Sequence, residues 1–146
     1  MSSRIRRRSV SENALLSAQT ALAKHYGPSK AGGSIERHIF LCALSEKQKC
    51  CSPEAGARAW AFLKSRLKEL GLIGPKRRAD SPRGAGGGVQ RSKADCLQVC
   101  GAGPIAVVWP EGVWYHSCDE AALERIIQEH LIGGEPVEDL RLYPAE

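Results

Sequence analysis

The chain has 146 residues, of which 42% are hydrophobic and 25% charged, and its formal net charge is +5. This length suits one ordinary domain with some residues left for a tail or linker. No stretch approaches the roughly 18 apolar residues that a membrane-spanning helix needs, so we expect no membrane partner. No apolar segment typical of a secretory signal follows the N-terminal arginines, and we therefore expect a cytoplasmic protein.

The charge is unevenly spread along the chain. Residues 1–37 contain seven Lys or Arg against two acids, whereas residues 110–146 contain nine acids against two arginines. A basic start such as Arg4 and Arg6–Arg8 occurs in nucleic-acid-binding proteins. Since no aromatic residues interleave with these arginines and no nucleic-acid-binding motif follows, we expect a solvated arm and no nucleic-acid partner.

The first predicted element is an N-terminal extension. We predict that residues 1–34 form a basic, disordered extension and linker. Within it, Ser11 to Tyr26 have leucines at near-helical spacing, which allows a short helix, and Gly27 to Ser34 have the composition of a flexible linker.

A strand and a helix are predicted next. The apolar run His38–Cys42 favours a strand. Ser52 suits a helix N-cap and Pro53 the first helical position, so a helix is predicted to begin there. Apolar residues then recur every three or four positions, and Gly71 predicts the end of the helix.

The remaining elements complete the predicted fold. Residues 74–88, rich in Gly, Pro and Arg, predict a mobile loop. Strands are predicted at Val89–Ala94 and Pro104–Trp109, the latter paired in a hairpin with Val113–His116, and a last helix at Asp119–Leu131. These elements predict an α+β protein, a two-layer sandwich with a four-stranded mixed sheet and two main helices, which fits a thioredoxin-like core.

Six cysteines are many for a chain of this length. Without a secretory signal, disulfides are not expected, and a metal or cluster site or reactive thiols remain. Cys42 and Cys51 (or Cys50) flank one predicted loop and Cys96 and Cys100 flank another, with the spacing C-x8-C, 44 residues, C-x3-C. Two neighbouring pairs of thiolates suit a [2Fe–2S] cluster. Structural zinc usually has shorter knuckles and thioredoxin-type oxidoreductases need C-x-x-C. A zinc or thiol module that mediates protein–protein interaction stays open as the alternative.

Several stretches of sequence are similar to those of a known family. They are Arg37–Cys42, Cys50-Cys51-Ser52, Cys96–Cys100 with Gly103–Tyr115, and Ile126–Leu131 with Gly133–Val137. Through these stretches, residues 37–140 resemble the thioredoxin-like [2Fe–2S] ferredoxins of bacteria.

The resemblance implies a one-electron carrier that is not itself an enzyme and that serves a separate redox protein. Its [2Fe–2S] cluster would be held by Cys42, Cys51, Cys96 and Cys100, with Cys50 as the alternative to Cys51. We expect the ferredoxin domain to span residues 35–142, and the resemblance implies a homodimer. It implies no ligand role for Cys118, which we expect to be a buried core residue.

Overall fold

The computed structural model of the protein describes residues 10–27, 34–43, 51–99 and 101–145. The elements in chain order are α1 (Glu12–Tyr26), β1 (Arg37–Cys42), α2 (Pro53–Glu69), β2 (Val89–Ala94), β3 (Ala106–Trp109), β4 (Val113–Tyr115), α3 (Glu120–Arg125), a π-helical segment (Ile126–Ile132), a 3-10 turn (Glu138–Leu140) and β5 (Arg141–Leu142). Within these described ranges, no helix is both long and apolar enough to cross a membrane.

The strands form one mixed sheet in the order β2-β1-β3-β4-β5. β1 pairs with β2 in parallel, and the other neighbouring strands pair in antiparallel fashion. Four strands were predicted, and the fifth is β5, which pairs Leu142 with Trp114 at the edge of the sheet. A strand of two residues is too short to show the alternating pattern by which strands are predicted.

The core lies on one face of the sheet. Ile39 and Leu41 of β1 belong to the same buried cluster as Leu63 of α2 and Leu123 of α3. Because side chains alternate along a strand, His38, Phe40 and Cys42 point to the opposite face. Both helices therefore cover the same face, which gives the predicted two-layer sandwich.

The two main helices begin where the sequence predicts. The Ser52 hydroxyl accepts a hydrogen bond from the Ala55 amide at 3.1 Å, and the Asp119 carboxylate accepts one from the Ala122 amide at 2.9 Å. The last helix differs from the prediction, because it continues from Ile126 in π-helical geometry. Such segments are rare, and the spacing of apolar residues does not distinguish them from an ordinary helix.

The loop that the sequence predicts to be mobile is folded around the guanidinium of Arg77, which is buried. This group donates hydrogen bonds to the carbonyl oxygens of Gly84 and Ala85, each at 3.0 Å, and to that of Gly87. A Cβ at Gly86 would lie 2.4 Å from the guanidinium, so the glycine makes room for it. The glycine at position 86 is therefore needed for the close packing of the backbone against Arg77, in addition to allowing a turn of the chain.

A series of hydrogen-bonded polar groups, of which Tyr115 and His130 are buried, joins β4 to the π-helical segment. Nε2 of His130 lies 3.0 Å from a Glu111 carboxylate oxygen, which also accepts from Arg37 at 2.7 Å. Burial lowers the pKa of His130, so the ring is neutral at pH 7 with its proton on Nε2. Nδ1 then accepts from the Tyr115 hydroxyl at 2.7 Å, and this hydroxyl accepts from the Val137 amide at 3.1 Å. Every member of the series has a defined role as donor or acceptor.

Candidate metal centre

Because β1 and β2 are parallel, their carboxyl ends lie side by side, and Cys42 lies next to the segment that carries Cys96. Cys42 is the last residue of β1 and pairs in register with Ala94, two residues before Cys96. The amide after Cys42 donates to the Ala94 carbonyl at 3.0 Å, which extends this pairing beyond the strands. The Cys42 sulfur lies 3.8 Å from the carbonyl oxygen of Asp95. The side chain of Cys42 is buried, whereas that of Cys96 is exposed.

Cys51 approaches the same place from the start of α2. It directly precedes the N-cap Ser52 and is half-buried. Cys51 packs against a small apolar cluster built on Cys42 and Ile105, and Leu97 and Val99 of the second cysteine loop pack against it too. The structure therefore brings together three of the four segments that the sequence predicts to carry ligands.

The loop after Cys96 directs a backbone amide at its sulfur. The Gln98 N–H donates to the Cys96 sulfur at 3.2 Å, and Gln98 has the left-handed φ of 58°. The glycine-rich composition of this loop predicts that backbone amides can point at the sulfurs, but it does not single out the amide of Gln98.

Cys118 lies apart from this place, in the main core between the sheet and the helices. It is fully buried, and burial raises the pKa of its thiol above the ordinary range. The thiol therefore stays protonated at neutral pH, as suits the core residue that the sequence predicts.

Two histidines lie in or beside the strands of the sheet: His38 is in β1 and His116 directly follows β4. His38 stacks on Phe40 at 4.1 Å and contacts the Ser92 hydroxyl at 2.8 Å, and His116 contacts the Ser117 hydroxyl at 2.9 Å. His38 thus contacts the neighbouring strand β2, and His116 contacts the residue that follows it.

Two predicted cysteines, Cys50 and Cys100, lie outside the described residues. Among the residues that are described, no group of three or more His, Cys, Asp or Glu side chains is arranged to hold a metal ion. The choice between Cys50 and Cys51, and the complete set of four ligands, stays a prediction.

The residues that do meet here fit an iron–sulfur cluster in their chemistry. The potential donors are thiolates, which iron–sulfur clusters prefer. Cys42 and Cys51 have apolar surroundings, to which Ile105, Leu97 and Val99 contribute. The Gln98 amide adds the type of hydrogen bond to sulfur that adjusts the potential of such clusters.

Comparison with known proteins identifies the family. No model of a known protein family matches the chain. A [2Fe–2S] ferredoxin from Clostridium pasteurianum is 32% identical over 112 residues, which cover 73% of this chain and 96% of that protein. The chain belongs to the [2Fe–2S] ferredoxins. A second [2Fe–2S] ferredoxin, from Aquifex aeolicus, is 47% identical over 45 residues, which are 31% of this chain and 40% of that protein.

Solved structures show which kind of ferredoxin fold this is. The wild-type thioredoxin-like [2Fe–2S] ferredoxin from Aquifex aeolicus superimposes with a TM-score of 0.57 and 23% identity, over 76% of this chain and all of that one. A second structure of a thioredoxin-like [2Fe–2S] ferredoxin from the same organism gives a TM-score of 0.57, over 77% of this chain. The predicted thioredoxin-like fold is confirmed.

Membership of this family establishes the general function. A [2Fe–2S] ferredoxin carries electrons on its iron–sulfur cluster, so this protein is an electron carrier with a [2Fe–2S] cofactor. The alternative, a structural zinc or thiol module for protein–protein interaction, finds no support in the relatives.

Proposed function

We propose that this ferredoxin holds its cluster on Cys42, Cys51, Cys96 and Cys100. The observation that carries the proposal is the meeting of the end of β1, the start of α2 and the loop after β2 around Cys42 and Ile105. Four thiolates, two for each iron, complete the coordination of such a cluster. Cys100 is included for two reasons. It directly follows Val99, which packs against the apolar side chains around Cys42 and Ile105, and the family resemblance assigns it as a ligand.

Each of the three proposed ligands that the structure describes, Cys42, Cys51 and Cys96, is held in a different way. Cys42 is fixed by the sheet, since its amide donates to the Ile105 carbonyl at 2.9 Å. Cys51 lies beside the first turn of α2, where unpaired amides and the helix dipole favour a thiolate. Cys96 is oriented by the turn at Gln98. The bound cluster supplies the chemistry, which is the uptake and release of one electron.

The exposure of the cysteines defines a route to a partner. Cys42 is 3% exposed, and the apolar side chains around it exclude water from the interior side of the site. Cys96 lies at the surface and marks the side from which another protein approaches. We infer that the physiological partner is a separate redox enzyme that docks over this loop.

Further features are proposed for the whole chain. The ferredoxin domain spans residues 35–142, and residues 1–34 form a basic extension, which agrees with the lack of any buried residue in α1. The protein functions in the cytoplasm as a homodimer. Its partners are proteins and not nucleic acid or membrane.

The ligands are tested by a pair of matched substitutions. Anaerobically purified wild-type protein should contain about two irons and two acid-labile sulfides per chain. Cys42→Ala should lose the iron, sulfide and visible absorbance of the cluster, whereas Cys118→Ala should keep them. Both thiols are buried, so the two substitutions create similar cavities and differ only in the proposed ligation.

The same comparison can refute the assignment. Retention of the full cluster by Cys42→Ala, or its loss from Cys118→Ala alone, would show that the ligand set is wrong. Equal loss from both variants would assign the effect to packing. Stoichiometric zinc without sulfide in the wild-type protein would overturn the cluster itself.

A further inference from the structure

A row of apolar side chains crosses the face of the sheet that α2 and α3 do not cover. The observed register places Phe40, Val107, Trp114 and Leu142 side by side across β1, β3, β4 and β5. Val107 is only 2% exposed. Since both helices lie on the other face, Val107 is buried by side chains of the sheet and of the loops beside it.

Cys42 belongs to the same face, in the next row of side chains. It follows Phe40 by two positions, and its amide donates to the Ile105 carbonyl at 2.9 Å. The side chains of Cys42 and Ile105 are 3% and 0% exposed. Trp114 and Leu142 both pack against these two buried side chains. The apolar row therefore ends in two side chains that contact the surroundings of a proposed ligand.

Trp114 and Leu142 also face the surface of the protein. Together with Val99, Tyr143 and Pro144 they line a groove of about 370 Å³. Both residues are half-buried, and Tyr143 beside them is 57% exposed. Because the same two side chains contact both the buried pair of Cys42 and Ile105 and this groove, the layer between that pair and the groove is one side chain thick.

The short strand β5 holds Leu142 in this layer. Leu142 pairs in register with Trp114. The residues on either side of Leu142 both contact Glu138, to which the Arg141 guanidinium donates at 3.1 Å and the Tyr143 hydroxyl at 2.7 Å. The Arg141 guanidinium also lies 4.6 Å from the centroid of the Tyr143 ring. Pairing with β4 and these contacts place Leu142 next to Trp114.

We propose that Trp114 and Leu142 form a cover that keeps water from the Cys42 side of the cluster and so holds its reduction potential low. Reduction adds one negative charge to the cluster, and an apolar environment disfavours the form that carries more charge. The apolar shell of a metal site controls its access to solvent and thereby its potential. The inference rests on the proposed ligation by Cys42 and adds two positioning residues to it.

The cover is tested by potentiometric titration of the full-length holoprotein. Trp114→Ala should shift the reduction potential to a less negative value, because water then stabilises the reduced cluster. Leu142→Ala should shift it in the same direction by less, since a smaller side chain is removed. Trp114→Phe, which keeps an aromatic ring, should restore most of the wild-type value.

Trp109→Ala is the matched control. Trp109 lies on the same face of the sheet and pairs with His38, at the end of β3 away from Cys42, and it is 46% exposed. Its removal should leave the potential unchanged. A second measurement is the loss of visible absorbance in aerated buffer, which should be faster for Trp114→Ala and Leu142→Ala than for the wild-type protein and Trp109→Ala.

Several outcomes overturn the inference. Unchanged potentials of Trp114→Ala and Leu142→Ala refute it, and so does a shift to more negative values. An equal shift in Trp109→Ala would assign the effect to the loss of any large side chain from this face. If Trp114→Ala assembles no cluster, the potential of Leu142→Ala decides in the same way.

Failure of the cover is distinct from failure of the ligand assignment. Iron and sulfide analysis of Cys42→Ala tests the ligand assignment alone. Loss of the cluster from Cys42→Ala together with unchanged potentials of the two cover variants would leave Cys42 as a ligand and refute only the role of Trp114 and Leu142. Retention of the cluster by Cys42→Ala would instead remove the basis of both.

Discussion

Tyr115→Phe tests the hydrogen-bonded series around Tyr115 and His130 with the removal of one oxygen atom. The substitution keeps the ring in the core but leaves the Val137 amide and Nδ1 of His130 without their partner. A buried polar group without a hydrogen bond costs about 1–3 kcal/mol. Two such groups predict a loss of about 2–4 kcal/mol in the free energy of unfolding. For a domain of this size, that loss lowers the thermal midpoint by about 10 °C.

The assay is thermal unfolding of the holoprotein, followed by circular dichroism at one fixed scan rate because loss of the cluster makes unfolding irreversible. Tyr143→Phe is the matched control, since it removes the same atom from an exposed ring whose hydroxyl donates to Glu138 at 2.7 Å. We expect the control to change stability by no more than about 0.5 kcal/mol. If the two variants melted at the same temperature, the defined donor and acceptor roles in this series would be wrong.

Three more predictions concern His130, the choice between Cys50 and Cys51, and the N-terminal extension. Burial lowers the pKa of His130 in the folded protein below its ordinary value of 6.5, so the unfolded chain binds more protons. The stability is therefore complete above pH 6.5 and falls as the pH drops from there towards the folded pKa. Thermal midpoints measured from pH 8 to pH 5 should show this loss, and His130→Gln should reduce the slope. Cys50→Ser should retain the electron paramagnetic resonance signal of the reduced cluster, whereas Cys51→Ser, beside the N-cap, should lose or shift it; the opposite result would move the ligand by one residue. Deletion of residues 1–34 should leave the visible spectrum and, at low protein concentration, the thermal midpoint nearly unchanged, because no residue of α1 is buried; a midpoint lowered by several degrees would contradict this.

Elements with strong local signals were predicted well from the sequence. The strand Val89–Ala94 has the predicted bounds, and α2 begins at Pro53 as its cap residues indicate. The meeting of Cys42 with the segment of Cys96 follows from spacing only once a parallel sheet is assumed. The element order predicts a mixed sheet without saying which strands pair in parallel, and the observed register of β1 with β2 supplies that pairing.

What the sequence did not predict depends on contacts between distant residues or on the backbone. Arg77 organises its loop through hydrogen bonds to carbonyl oxygens seven to ten positions away. The sequence of the loop shows only its positive charge and its high glycine content, and these indicate a mobile segment. The Gln98 amide acts through a left-handed turn that glutamine rarely adopts. The two-residue β5 forms by pairing with β4, and its own sequence is too short to show a strand pattern.

The connection between β1 and β2 determines the handedness with which the cysteines are arranged. β1, α2 and β2 form one strand–helix–strand crossover, and this single unit supplies Cys42, Cys51 and the approach to Cys96. Crossovers between parallel strands have the same handedness in about 98% of cases, because twisted strands and right-handed helices pack only in that way. The order in which these three cysteines follow one another around the end of the sheet is therefore a property of backbone chirality. Core substitutions that preserve the topology should leave that order unchanged, even where they loosen the packing around it.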